Sequence, residues 1–307
     1  MSWSVVARWS SAAVIAAALI GSAQAAPVGQ RKKADVTPKP VVQRTSKTHP
    51  AGGRAFARMS LAELDEAMAA EFAKPENSAK FAGEMGLSPE NLPLMIEYVR
   101  TLYADRRLAH VVAEQIYRHQ DTLDEATAEA KIARLSEESI LRLQSQGLAS
   151  ADDELIRRML ALMVAIPRFT NAAECKAVFG GGGEAVPEYL IMARMGPAAF
   201  KDYLAILQSA ISLGLSGAKI MPLTQSQEAG AQAAFEKQVV ADARNLSETE
   251  ARQLGMALQD LDRATPDQAC KAIQAIIAAA VAMPGQEGVW FRRNYMINLE
   301  KDDSSSE

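Results

Sequence analysis

Cysteine is nearly absent: 307 residues hold only Cys175 and Cys270. Two isolated cysteines with no histidine nearby cannot supply the four ligands of a structural zinc site. Histidine is almost as scarce, at His49, His110 and His119. His110 and His119 stand nine residues apart on an expected helix, so they point to opposite sides and share no metal. Aromatics make up 6% of the chain, and no stretch alternates apolar and polar residues long enough to make a strand. A sheet protein is therefore excluded. No phosphate cradle is present either: Gly180–Gly183 follows no strand, and "GLSGAK" at 214–219 lacks the required spacing. After residue 26 no apolar run reaches the ~18 residues of a membrane span. No metal and no cofactor is expected.

What is abundant is Ala, Leu and Met, within a chain 49% apolar and 23% charged. That composition predicts an all-α globular body. Helix entries are explicit: "SLAE" at 60–63, "TLDE" at 122–125, "SETE" at 247–250 and "TPDQ" at 265–268 are capping boxes. Stops are read at Gly86, Gly147, Gly180–Gly183, Gly196-Pro197, Gly214 and Pro284-Gly285. Between them the pattern predicts helices near 60–73, 76–85, 90–119, 123–146, 152–166, 171–179, 187–195, 198–213, 225–244, 248–263, 266–283 and 286–299. In the longest, Met95, Tyr98, Val99, Leu102, Ile116 and Tyr117 mark one buried stripe.

Charge divides the chain. Residues 27–58 carry eight cations against Asp35, a net of +7, while residues 59–307 hold 24 Lys plus Arg against 36 Asp plus Glu, a net of −12. A basic, Pro-rich linker thus precedes an acidic body. The linker suits a solvated tether or contact with an anionic membrane surface, and the acidity of the body argues against specific nucleic-acid binding. Ahead of the linker, one cation (Arg8), an apolar core at 12–20 and the small residues Ala23-Gln24-Ala25 form a secretory signal, with cleavage expected after Ala25. The cations Arg31-Lys32-Lys33 favour the alternative, an uncleaved inner-membrane anchor over residues 9–26. The Ala- and Arg-rich bias points to a bacterium, making the expected location periplasmic or secreted. The expected division is signal peptide 1–25, linker 26–58, helical domain 59–300 and polar tail 301–307.

Both cysteines sit in one repeated phrase, "RFTNAAECKAV" at 168–178 and "RATPDQACKAI" at 263–273. The repetition predicts an internal repeat in the later half, with Thr170 or Thr265 at the cap, the cysteine facing inward and the lysine facing solvent. Cys175 and Cys270 then either form a disulfide or lie buried as free thiols. Of the remaining features, "WFRRNYM" stands out, and Trp290, Phe291, Arg292, Arg293 and Tyr295 form the candidate partner-binding surface, as aromatics beside arginine are what binding hot spots prefer; the alternative is a terminal helix that docks Trp290 and Phe291 into the core and exposes Arg292 and Arg293. His110 with Glu114 has the i, i+4 spacing of an acid/base or ion pair. The carboxylate pairs Asp152-Asp153 and Glu137-Glu138 read as structural. With no catalytic motif, the expected function is a non-enzymatic, exported adaptor, scaffold or accessory factor that binds another protein. Two alternatives stand beside it: a membrane-tethered periplasmic chaperone, and a helical hydrolase acting on envelope substrates through converging carboxylates or His110.

Overall fold

A computed structural model describes residues 59–122, 128–179, 188–261 and 263–304. Among the described residues there are thirteen α-helices, two short 3-10 turns and no strand. The helices are α1 (Leu61–Phe72), α2 (Pro75–Glu84), α3 (Leu92–Tyr103), α4 (Arg106–His119), α5 (Ala128–Ala149), α6 (Asp153–Ala165) and α7 (Ala172–Val178). They continue as α8 (Glu188–Arg194), α9 (Pro197–Leu215), α10 (Gln225–Ala243), α11 (Glu248–Gln259), α12 (Pro266–Ala282) and α13 (Gly285–Ser304).

The all-α expectation holds, and three of the four capping boxes are in place. Ser60, Ser247 and Thr265 each accept from the N3 amide while the N3 side chain returns to the cap. The box at 122–125 falls mostly outside the described residues; Thr122 itself closes a 3-10 turn by donating to the His119 carbonyl. The signal, linker and Gly180–Gly183 expectations also lie outside them.

One expected helix is two. The chain breaks at Ala104 and Asp105, where Asp105 caps α4 by accepting the Arg107 amide at 2.9 Å. Apolar spacing carries across the break, from Leu102 to Leu108, so periodicity alone conceals it. Tyr117, assigned to the buried stripe, is exposed.

Helix α9 organises the interior. It contributes buried residues to all three apolar clusters: Ile206 and Ala210 to one, Ile211 to the second, and Phe200, Tyr203, Leu204 and Leu207 to the third. The second cluster joins α1, α3, α4 and α5, and the third joins α2, α3 and α8. The first gathers α6, α7, α12 and α13 around the disulfide.

The most extensive helix contact is α5 against α9, and it depends on two glycines. A Cβ on Gly147 would lie 1.7 Å from the Ala210 carbonyl oxygen, and one on Gly214 would lie 2.1 Å from that of Leu143. The two backbones therefore touch at reciprocal points one turn apart. Neither glycine is the helix stop that the sequence suggested, since each lies inside a last turn. The true stop of α9 is Gly217, at φ +65°. It donates to the Gly214 carbonyl while Ala218 donates to that of Leu213, a Schellman pair.

Candidate functional site

The repeated phrase places its two cysteines together. Cys175 on α7 and Cys270 on α12 are bonded, with Cα atoms 5.6 Å apart across 95 residues of sequence, and both are buried. Around them the two copies differ, and no structural repeat emerges. Asn171, not Thr170, caps α7, through a capping box with Glu174, whereas Thr265 caps α12. Thr170 instead donates to the Ile166 carbonyl. Cys175 is thus one residue nearer its cap than Cys270. The lysines diverge further. Lys271 is exposed and pairs with Asp267, as expected, but Lys176 is buried and donates to the Ala264 carbonyl at 2.8 Å. A buried ammonium needs such acceptors, so Lys176 ties α7 to the entry of α12 rather than facing water.

The "WFRRNYM" segment requires a larger correction. Arg292 is only 1% exposed and is the largest fully buried side chain among the described residues. Its Nε and Nη2 donate to both oxygens of Asp153, at 2.7 and 2.9 Å, and its Nη1 donates to the carbonyls of Ala280 and Met283, at 2.8 and 3.0 Å. The guanidinium therefore joins three helices. It neutralises the C-terminal end of α12, and its carboxylate partner sits on the first turn of α6, where negative charge is favoured. Arg292 is a buried structural residue whose donors are turned to Asp153 and to the end of α12.

Its neighbours are mostly packed as well. Phe291 stacks on Phe235 of α10, with centroids 4.1 Å apart, and Tyr295 is largely buried, its phenol pushed up to about 12 by desolvation. Trp290 and Arg293 keep partial exposure. An unusual composition marks this segment in the sequence, and its physical origin is a docking helix.

His110 meets two carboxylates on the solvated seam between α1 and α4. Its Nδ1 is 3.4 Å from Asp65 and its Nε2 is 3.9 Å from Glu114, which also pairs with Arg118. The two acids flank the ring, one on each nitrogen, so the arrangement is a solvated polar contact between α1 and α4. His119 lies apart, its Nδ1 against the Gln115 carbonyl. Asp152 caps α6, and Asp153 serves Arg292. Glu137 is half-buried, and desolvation, then the nearby Glu138 charge, raises its pKa. No group of three His, Cys, Asp or Glu side chains among the described residues is placed to hold a metal.

Recesses among the described residues include a cleft and a small cavity. A cleft of about 240 Å³ lies between α1 and α4, floored by Ala69, Ala73 and Ala109 and rimmed by Tyr103 and the Glu66–Arg106 ion pair. A cavity of about 20 Å³ lies under α8, lined only by apolar and aromatic groups such as Met163, Met192 and Tyr203. It is too small for any ligand larger than a water.

The most unusual surface lies elsewhere. Met221, Val240, Leu246 and Met256 are exposed by 66%, 54%, 39% and 65%. All four fall between Gly217 and Asp260, where the only buried residues are Ala231 and Ala257. Helix α10 rests on α12 and α13, and α11 rests on α12. The sequence carried a signal for this: α10 is Gln-, Glu- and Ala-rich with little amphipathic character, and α11 turns only Ala251, Leu254, Ala257 and Leu258 inward, which leaves Met256 outside. No helix among the described residues is long and apolar enough to cross a membrane. No known family model, curated protein or solved structure matches this chain.

Proposed function

We propose that the protein is an exported, non-enzymatic helical adaptor, scaffold or accessory factor that binds another protein through the segment from Met221 to Met256, which comprises α10, most of α11 and their flanking connections. The observation that carries this reading is the exposure of Met221, Val240, Leu246 and Met256 on one segment whose only fully buried residues are Ala231 and Ala257. Apolar area left in water costs about 25 cal/mol per Å² relative to burial, which a partner's apolar surface would recover. This moves the proposed contact from Arg292 and its neighbours to the segment that holds α10 and α11.

The Cys175–Cys270 bond supports export, because such bonds persist in oxidising compartments. Together with the small residues Ala23-Gln24-Ala25 after an apolar core, it favours the periplasm of a bacterial envelope. The +7 linker supplies a second, weaker contact with anionic lipid. A tethered chaperone would present the same surface but retain residues 9–26, a difference that intact mass reads directly.

Photo-crosslinking in the producing cell tests the reading. A crosslinker at Val240 or at Met256 is expected to capture the same discrete protein, and Leu246→Asp to abolish both adducts. The same probe at Glu76 on α2 serves as the control position. Adducts that are absent, or that are the same from Glu76, overturn the proposal.

A further inference from the structure

We infer that Met221 and Met256 are an oxidant-responsive modification site, with hydroperoxides as the reagent. Twelve methionines lie among the described residues, and only these two are exposed; eight are buried, Met159, Met163 and Met296 among them. The chain has no free thiol, since its two cysteines are bonded to each other. The softest nucleophile normally presented to a peroxide is therefore missing, and the exposed thioethers take its place.

The chemistry is a two-electron oxygen transfer. A sulfur lone pair attacks the terminal peroxide oxygen, the S–O bond forms as the O–O bond breaks, and that oxygen's proton passes to the departing oxygen, which leaves as water from hydrogen peroxide or as an alcohol from an organic hydroperoxide. The sulfur is oxidised to the sulfoxide and the peroxide is reduced. Each event turns an apolar side chain into a polar one. It occurs on the segment that carries four of the six exposed large apolar residues among those described. Resting on the partner-binding reading for its consequence, the inference assigns these residues a regulatory role: oxidation makes the exposed face of the Met221–Met256 segment more polar and weakens its apolar contact.

The test uses the full native chain, with its disulfide intact, exposed to hydrogen peroxide and sampled by peptide mapping. Sulfoxides at Met221 and Met256 are expected to accumulate about tenfold faster than at Met159, Met163 and Met296. Binding of an environment-sensitive apolar dye is expected to fall in step. Met221→Leu with Met256→Leu should keep the dye signal and lose its response to peroxide. Uniform oxidation rates overturn the inference, as does unchanged dye binding once both sites are oxidised. Neither arm needs a partner, so missing crosslinks at Val240 sink the proposed function and leave the order of oxidation standing.

Discussion

Arg292 reaches across 139 positions of sequence to clasp both carboxylate oxygens of Asp153, and this pair closes the first helix of the disulfide-containing core against the last. With Arg157 donating to the Val281 carbonyl, two arginines meet the C-terminal end of α12.

Arg292→Ala is expected to lower unfolding stability by about 3 kcal/mol, because it strands a partly buried carboxylate and two carbonyls. Arg292→Lys recovers only part of this, since an ammonium cannot make the forked contact. Urea midpoints for the two variants check the order. A loss of under ~0.5 kcal/mol for Arg292→Ala would mean that the side chain is solvated after all.

Glycines give a prediction of opposite signs. Gly147→Ala places a methyl group against the Ala210 backbone and is expected to cost about 2–3 kcal/mol, and Gly214→Ala a similar amount. Gly230→Ala lies inside α10, where an added Cβ would meet nothing within 4 Å, and is expected to stabilise by about 0.5–1 kcal/mol through helix propensity. Thermal melts of the three single variants separate the cases.

Opening the Cys175–Cys270 bond releases a loop of 95 residues, and Cys175→Ser with Cys270→Ser is expected to cost about 4 kcal/mol in the chain-entropy model. Because both cysteines are buried, a reductant should act on the native protein only as fast as it opens. Reduction rates with and without mild denaturant measure this.

Two glutamates should bend the pH profile in opposite senses. Glu174 is held below its ordinary value of 4.5 by the Arg194 side chain and then by the Asn171 amide, so its contribution is present above pH ~4.5 and fades as pH falls through the lower folded value. Glu137 is raised by desolvation, so it is least unfavourable when protonated, and stability is lost as pH rises from its unfolded value through its folded one. Glu137→Gln is therefore expected to stabilise at pH 7, and Glu174→Gln to flatten the acid limb. Denaturant titrations from pH 3 to pH 7 would show both.

Much of the helical layout was legible because its signals are local. Ser60, Ser247 and Thr265 cap their helices through residues three positions away, and Gly86 and Gly285 adopt the positive φ expected of helix-boundary glycines. The candidate surface was less legible. Trp290, Phe291 and Arg292 drew attention by composition, yet a buried arginine and an exposed one look alike in sequence when the carboxylate that neutralises the charge lies on another helix.

The sequence by itself determined the helical class, the helix entries and the fact that any disulfide within the chain must join Cys175 to Cys270, since propensity, capping and cysteine number are properties of short segments or of composition. Tertiary structure alone decided that Gly147 and Gly214 are contact points, that Lys176 and Arg292 turn inward, and that Met221 and Met256 stay outside. Each of these depends on which distant backbone or charge is brought within a few ångströms, and no local pattern encodes that.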